Sequence, residues 1–147
     1  MTNNASTDVL NDILESLIDS TDGYEKAAEI AERDTFKNFF TRRAASRRAM
    51  AATVRNEITK MGGTPDADGT ILASAHRVFM NIRAAVQDSD EAAIEAVETG
   101  EKHLRTKFEK ALEHEELSVA SKTMLRNFQG ELQADGRLID HLEDSAS

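Results

Sequence analysis

Cysteine is absent from this chain of 147 residues, and tryptophan is absent as well. Without cysteine there is no disulfide framework, no thiolate zinc site and no cysteine nucleophile. Long apolar runs are also missing, since no stretch approaches the roughly 18 residues that a membrane-spanning helix needs. The first residues are polar and acidic, whereas a secretory signal would be basic and then apolar. These absences predict a cytoplasmic protein without thiol chemistry.

Positive charge is scarce, because 18 Lys and Arg residues face 27 Asp and Glu residues, giving a formal net charge of -9. Such a surface disfavours nucleic acid and anionic membranes as partners. A single proline, seven glycines and many helix-forming residues are typical of long helices rather than of a sheet. The length predicts one domain over 1–147, with frayed ends at about 1–7 and 143–147.

Apolar residues recur at alternating steps of three and four along most of the chain, which is the spacing of one helix face. The first predicted helix covers 8–32, and the second begins at Asp34, its expected cap, and ends at Gly62. A glycine- and proline-containing turn follows at 62–66. A shorter helix is predicted over 70–87. Asp88 and Ser118 are the expected caps of two further long helices.

Two long helices, one shorter helix and two more long helices predict an all-α fold. The favoured architecture is a ferritin-like four-helix bundle in which the shorter, additional helix forms a crossover. A plain up-and-down bundle of five helices is the alternative, because periodicity does not order helices in space.

Four polar residues occupy positions on the apolar seams, each near the middle of its helix: Thr21, Arg47, Glu101 and Asp135. In a bundle these four would meet in one central polar layer. A buried charge without a partner costs several kcal/mol, so we expect Arg47 to pair with Glu101 or Asp135, with Thr21 as a hydrogen-bond partner. The layer is either a structural ion-pair network, which is favoured because Arg is a poor neighbour for a cation, or a binding centre.

A ferritin-type dinuclear metal site needs Glu-x-x-His on two helices, and none of the four histidines has a glutamate three residues before it. We therefore expect no cofactor. The alternative is iron or manganese held by central carboxylates alone. That alternative set consists of Glu25, Glu29, Glu98 and Glu101.

Two further groups of residues have a structural and a functional interpretation. The second helix carries a basic cluster that consists of Arg42, Arg43, Arg47 and Arg48. We expect this cluster to form salt bridges on the inner and outer faces of the helix rather than to contact phosphate. Four glycines lie inside predicted helices: Gly23, Gly100, Gly130 and Gly136. Each costs roughly 1 kcal/mol of stability relative to alanine, which indicates either close helix approach or, near Gly23 and Gly100, a small-ligand pocket.

Several short motifs appear in a characteristic order. They are Leu10-Asn11-Asp12, Asp22-Gly23-Tyr24, Ala27-Ala28, Phe40 with Arg43-Ala44 and Arg47, Gly62-Gly63-Thr64-Pro65, His76-Arg77 and Gly100-Glu101. In these motifs the chain resembles a bacterial family of uncharacterised ferritin-like four-helix-bundle proteins, known as a domain of unknown function. The resemblance implies the bundle fold and no settled chemistry. Many similar sequences are expected to carry a histidine near Asp135, and its absence here weakens a metal role.

Three hypotheses about function follow. The first is a non-enzymatic bundle without an intact di-metal site, which acts through its surface or as a homodimer in a structural, stress-related or interaction role. The second is a metal-binding or oxidase-like bundle that uses the central carboxylates. The third is a bundle that binds a small ligand. The lack of Glu-x-x-His favours the first over the second.

Overall fold

The computed structural model describes residues 2–65 and 88–146. Within these ranges the chain forms four long helices and no strand: α1 (Thr2–Ile30), α2 (Asp34–Lys60), α3 (Ser89–Leu112) and α4 (Val119–Ala146). At 1.5 Å per residue, α1 is about 43 Å long, which is the length of a bundle helix rather than of an average globular one. The shorter helix predicted over 70–87 lies outside the described residues.

Contacts at the helix ends show how the helices run. Near the start of α1, the Asn11 amide donates to the Thr64 carbonyl 3.2 Å away, just beyond the end of α2. At the other end of α1, the Glu32 backbone N–H donates to Asp90 Oδ1 at 2.7 Å, in the first turn of α3. Thus α2 and α3 both run antiparallel to α1 and parallel to each other. Because α2 ends and α3 begins at opposite ends of the bundle, the connectivity is that of a bundle with a long crossover.

The helix caps agree with the sequence at two of three positions. Asp88 Oδ1 accepts from the backbone N–H groups of Asp90 and Glu91 at 2.9 and 3.0 Å, and Ser118 Oγ accepts from the Ser121 N–H at 3.0 Å. The expected cap at Asp34 is wrong, because α2 begins with Asp34 inside its first turn and has no side-chain cap. A carboxylate there still opposes the positive end of the helix dipole.

The predicted turn after α2 depends on glycine. Gly62 has φ +83°, in the left-handed region, and the Gly63 N–H donates back to the Ile58 carbonyl at 3.0 Å. Glycine reaches this conformation without the steric cost that a Cβ would bring, so the helix can end and the chain can turn away.

The core consists of two apolar clusters along the bundle axis. One contains Leu17, Met50, Leu104 and Leu132, and the other contains Tyr24, Ala44, Val97 and Ile139. In each helix a polar residue lies between the two clusters: Thr21, Arg47, Glu101 and Asp135. Among the described residues no helix combines the length and the apolar character that crossing a membrane would require.

Candidate functional site at the centre of the bundle

Arg47 lies between the two apolar clusters, and its side chain is completely buried. Its Nη2 donates to Glu101 Oε1 at 2.7 Å, and its Nη1 forms an ion pair with Asp135 Oδ2 at 2.9 Å. Sequence periodicity placed all three on apolar seams, and the structure brings them together from α2, α3 and α4. Arg47 therefore pairs with both carboxylates rather than with one of them.

Tyr24 of α1 completes this group. Its hydroxyl donates to Glu101 Oε1 at 2.8 Å, and the Arg47 guanidinium carbon lies 5.5 Å from the centre of its ring. Burial first, and then the negative charge of Glu101, raises the pKa of Tyr24 well above its ordinary value, so the phenol stays protonated and donates. The sequence pattern did not predict Tyr24 as a member of the polar layer, because its aromatic ring fits an apolar seam. Two features of the sequence could have pointed to a polar role for Tyr24. It is the chain's one tyrosine, and it lies three residues after Thr21, on the same face of the helix.

Thr21, the fourth predicted member of the layer, plays a local role instead. It is half-buried, and its hydroxyl donates to the Leu17 carbonyl at 2.9 Å within the same helix. A threonine inside a helix commonly returns its hydroxyl to the carbonyl four residues earlier, which turns the hydroxyl toward its own helix. The expected hydrogen bond from Thr21 to the Arg47 group is not among the contacts, and Tyr24 supplies the hydroxyl on α1.

Arg43 brings a second positive charge to the group. Its Nη1 donates to Asp135 Oδ1, and its side chain is 27% exposed. Two guanidinium groups therefore face two carboxylates. Burial alone would lower the pKa of Arg47, but the attraction of Glu101, with a smaller contribution from Asp135, raises it. We refer to Tyr24, Arg43, Arg47, Glu101 and Asp135 as the central network.

A second acidic group lies beside the central network, between α3 and α4. Carboxylate oxygens of Glu98, Asp140 and Glu143 lie within 4.8 Å of one another. Glu98 is half-buried and the other two are exposed. Burial first, and then a hydrogen bond shared with Glu143, raises the pKa of Glu98 to about 7. Glu98 belongs to the alternative metal set predicted from the sequence, whereas Asp140 and Glu143 do not.

A small cavity connects the two groups. Its volume is about 30 Å³, and it is lined by Glu98, Glu101, Lys102, Arg105, Gly136 and Ile139. Two carboxylate oxygens of the lining, Glu101 Oε2 and Glu98 Oε1, are buried, and within the described ranges no N–H or hydroxyl group donates to either. A space of this size holds a water molecule or a single ion.

The comparisons with known proteins agree with this architecture. The family model described as "Domain of unknown function (DUF2383)" matches residues 5–114. The chain belongs to this family. No curated protein sequence matches it.

Two solved structures show the fold of this DUF2383 chain. A Dps1 mutant from Mycobacterium smegmatis matches with a TM-score of 0.80 over 97% of each chain, at 15% sequence identity. The tetragonal form of Mycobacterium smegmatis Dps matches with a TM-score of 0.75 at 15% identity, over 94% of this chain and 85% of the other. At such identities the likeness concerns the fold alone. It confirms the predicted ferritin-like four-helix bundle.

Bundles of this fold that hold two metal ions do so with inward-facing glutamates and histidines. The DUF2383 bundle carries Tyr24, Arg47, Glu101 and Asp135 at its centre instead. The two carboxylates are already bonded to guanidinium groups, and no histidine among the described residues is buried. Each of the two carboxylates therefore already has a guanidinium partner.

The four carboxylates of the alternative metal set do not come together. Glu25 is exposed and pairs with Arg48, and Glu29 is exposed and pairs with Lys26 at 3.4 Å. Both side chains point outward because the buried residues in this part of α1 are Tyr24 and Ala27. Glu98 and Glu101 do share one small cavity.

The arginine cluster of α2 forms salt bridges on both faces, since Arg47 and Arg43 point inward and Arg48 points outward to Glu25. The close helix approach predicted at the glycines is contradicted at three positions. A Cβ at Gly23, Gly100 or Gly130 would meet no atom of the described residues within 4 Å, so none of the four described helices approaches closely there. A Cβ at Gly136 would lie 3.0 Å from Arg105 Nη1.

Proposed function

We propose that this protein is a non-enzymatic ferritin-like bundle in which a buried ion-pair network takes the place of a di-metal centre. The observation that carries the proposal is Arg47, whose guanidinium is fully buried at the middle of the bundle between Glu101 and Asp135. In this position the guanidinium supplies the positive charge that metal ions supply in di-metal bundles.

Charge balance supports the structural role. The two carboxylates of the network are matched by Arg43 and Arg47, so a divalent cation would add uncompensated positive charge in a buried place. The surrounding core also holds Arg47 in this position, because none of its side chain is exposed. Buried polar layers of this kind fix the register of helices in some bundles, and we assign that role here.

The biological activity would then reside on the surface. We propose that residues 1–147 form one cytoplasmic domain that acts as a structural or interaction protein, alone or as a homodimer. The small-ligand alternative has less support, because the cavity beside the network measures about 30 Å³, whereas ligand pockets measure roughly 300–1,000 Å³.

Metal analysis tests the proposal. The protein is purified without affinity metals, incubated anaerobically with excess Fe(II) or Mn(II), desalted and analysed for metal content, and then assayed for Fe(II) oxidation by oxygen. We expect no retained metal and no oxidation above the rate of free Fe(II). Retention of about two ions per chain, the stoichiometry of a di-metal bundle, together with oxidation would refute the proposal. Repeating the analysis on Arg47→Met would show whether those ions occupy the centre.

A further inference from the structure

We propose that the small cavity between α3 and α4 is a binding site for one water molecule, which donates hydrogen bonds to Glu101 Oε2 and Glu98 Oε1. Gly136 is the residue that makes room for this water. The inference rests on the proposed function, because the water completes the hydrogen bonding of the same ion-pair network.

The first argument is the hydrogen bonding of Glu101, a carboxylate that is 2% exposed. Its Oε1 accepts from Tyr24 and Arg47, whereas its buried Oε2 accepts from no group in the described ranges. Glu98 Oε1 is buried in the same way and belongs to the lining of the same cavity. A buried carboxylate oxygen without a donor is costly, and native structures supply the donor from protein or from ordered water. Two such oxygens in one lining call for a molecule that donates twice.

The size and charge of the cavity identify that molecule as water. The volume is about 30 Å³, and a water molecule needs roughly 10–15 Å³ of such space. Lys102 and Arg105 line the cavity together with Glu98 and Glu101, so two positive side chains already stand beside two carboxylates and favour a neutral occupant. Water donates two protons, and its oxygen accepts from N–H groups of the kind that Lys102 and Arg105 carry.

The second argument is Gly136, which lies inside α4 and lines the same cavity. Glycine inside a helix is less favourable than alanine, so the lack of a side chain here offsets a cost in helix stability. Apart from its own helix and chain neighbours, a Cβ built at Gly136 would meet one described atom within 4 Å, which is Arg105 Nη1 at 3.0 Å. A methyl group at this position would therefore project into the cavity and take the space of the water.

The water extends the central network toward the surface. Tyr24 and Arg47 hold one oxygen of Glu101, and the water links the other oxygen to Glu98. Glu98 is half-buried and shares a hydrogen bond with exposed Glu143 of α4. One hydrogen-bonded chain then runs from a buried hydroxyl on α1 to the outer edge of the contact between α3 and α4.

Crystal structures of the wild type, Gly136→Ala and Gly130→Ala test the site directly, at a resolution that shows individual water molecules. In the wild type we expect a water within about 2.5–3.0 Å of both Glu101 Oε2 and Glu98 Oε1. Gly130→Ala is the matched control, since Gly130 lies on the same helix and a Cβ there would meet no described atom within 4 Å. This control should keep the water, and Gly136→Ala should lose it.

Thermal melts make the same comparison in solution. Alanine favours the helix at both positions, so Gly130→Ala should raise the melting temperature. Gly136→Ala should lower it, because displacement of the water leaves two buried carboxylate oxygens without a donor. Arg105→Lys removes the guanidinium from the contact with a Cβ at position 136 and keeps the positive charge. Gly136→Ala should lower the melting temperature in that background as well.

Three results would overturn the proposal. The first is a wild-type crystal structure in which no water bridges the two oxygens, or in which Lys102 or Arg105 bonds directly to Glu101 Oε2. The second is a peak with about six oxygen ligands at metal distances, which would identify a cation. The third is a Gly136→Ala protein that melts as high as Gly130→Ala, or that is destabilised only when Arg105 is present. Failure of the proposed function looks different, because it requires about two retained metal ions per chain together with Fe(II) oxidation.

Discussion

Replacing Arg47 with methionine tests whether the central network holds the bundle together. Methionine keeps most of the side-chain length and removes the guanidinium. Asp135 would retain Arg43 as a partner, whereas Glu101 would retain only the hydroxyl of Tyr24. The cost is therefore dominated by one buried carboxylate, Glu101, whose charge is no longer compensated. Breaking a buried pair in this way costs about 3–5 kcal/mol of unfolding free energy.

Urea unfolding followed by circular dichroism measures this loss, since the midpoint should fall while the slope with urea stays constant. Arg48→Met is the matched control, because Arg48 is the next residue of α2 and its side chain is 62% exposed in its pair with Glu25. That control should lose less than about 1 kcal/mol. Adding Glu101→Gln to Arg47→Met should recover about 2 kcal/mol, because it removes the unpaired charge.

Two outcomes would refute this reasoning. A loss below about 1 kcal/mol for Arg47→Met, the magnitude of an exposed pair, would mean that the guanidinium does not lie buried among the carboxylates. A double variant as unstable as Arg47→Met alone would mean that the cost does not come from the uncompensated charge of Glu101.

Three further substitutions test other contacts. Asp90→Ala removes the acceptor for the backbone N–H that follows α1 and should cost about 1–2 kcal/mol in thermal melts, whereas exposed Glu91→Ala should cost less. Burial raises the pKa of Asp19 from 3.8 to about 6. The folded state then holds this proton more tightly than the unfolded state, so Asp19 destabilises the fold as pH rises through that window. The free energy of unfolding of Asp19→Asn, measured in urea melts, should therefore rise by about 1 kcal/mol relative to that of the wild type as the pH increases from 4 to 7, a value reduced because Asp19 is partly exposed. A difference between the two proteins that stays constant over this pH range would contradict the assignment. Gly63→Ala places a Cβ 2.6 Å from Thr7 Cγ2 and should cost about 1–3 kcal/mol by urea unfolding, most of which Thr7→Ser should restore.

The sequence was sufficient to predict three members of the central network. Arg47, Glu101 and Asp135 each interrupt an apolar seam of regular period, and a charge at such a position must be buried with a partner. Periodicity defines the face of each helix, so it predicted that these residues share a layer. It could not decide between the two acids as partners of Arg47, because that choice depends on helix packing in three dimensions.

Other parts of the site were beyond the reach of periodicity. Tyr24 satisfies an apolar pattern with its ring, and nothing in the pattern reveals where its hydroxyl points. Asp140 and Glu143 lie on the polar side of α4, and their meeting with Glu98 depends on the rotation of α4 against α3. The same limit explains why Glu25 and Glu29, although central in α1, lie on its outer face.

The packing of α4 has a consequence for how the bundle opens. This helix packs mainly on α3 and touches α2, where Arg43 and Arg47 bind Asp135, whereas α1 packs extensively against both α2 and α3. Native proteins open in cooperative units, and the unit with the fewest apolar contacts opens first. In hydrogen exchange, among the described helices, we therefore expect the amides of α4 to exchange before those of α1, and the ion pairs from Arg43 and Arg47 to Asp135 to break as α4 opens.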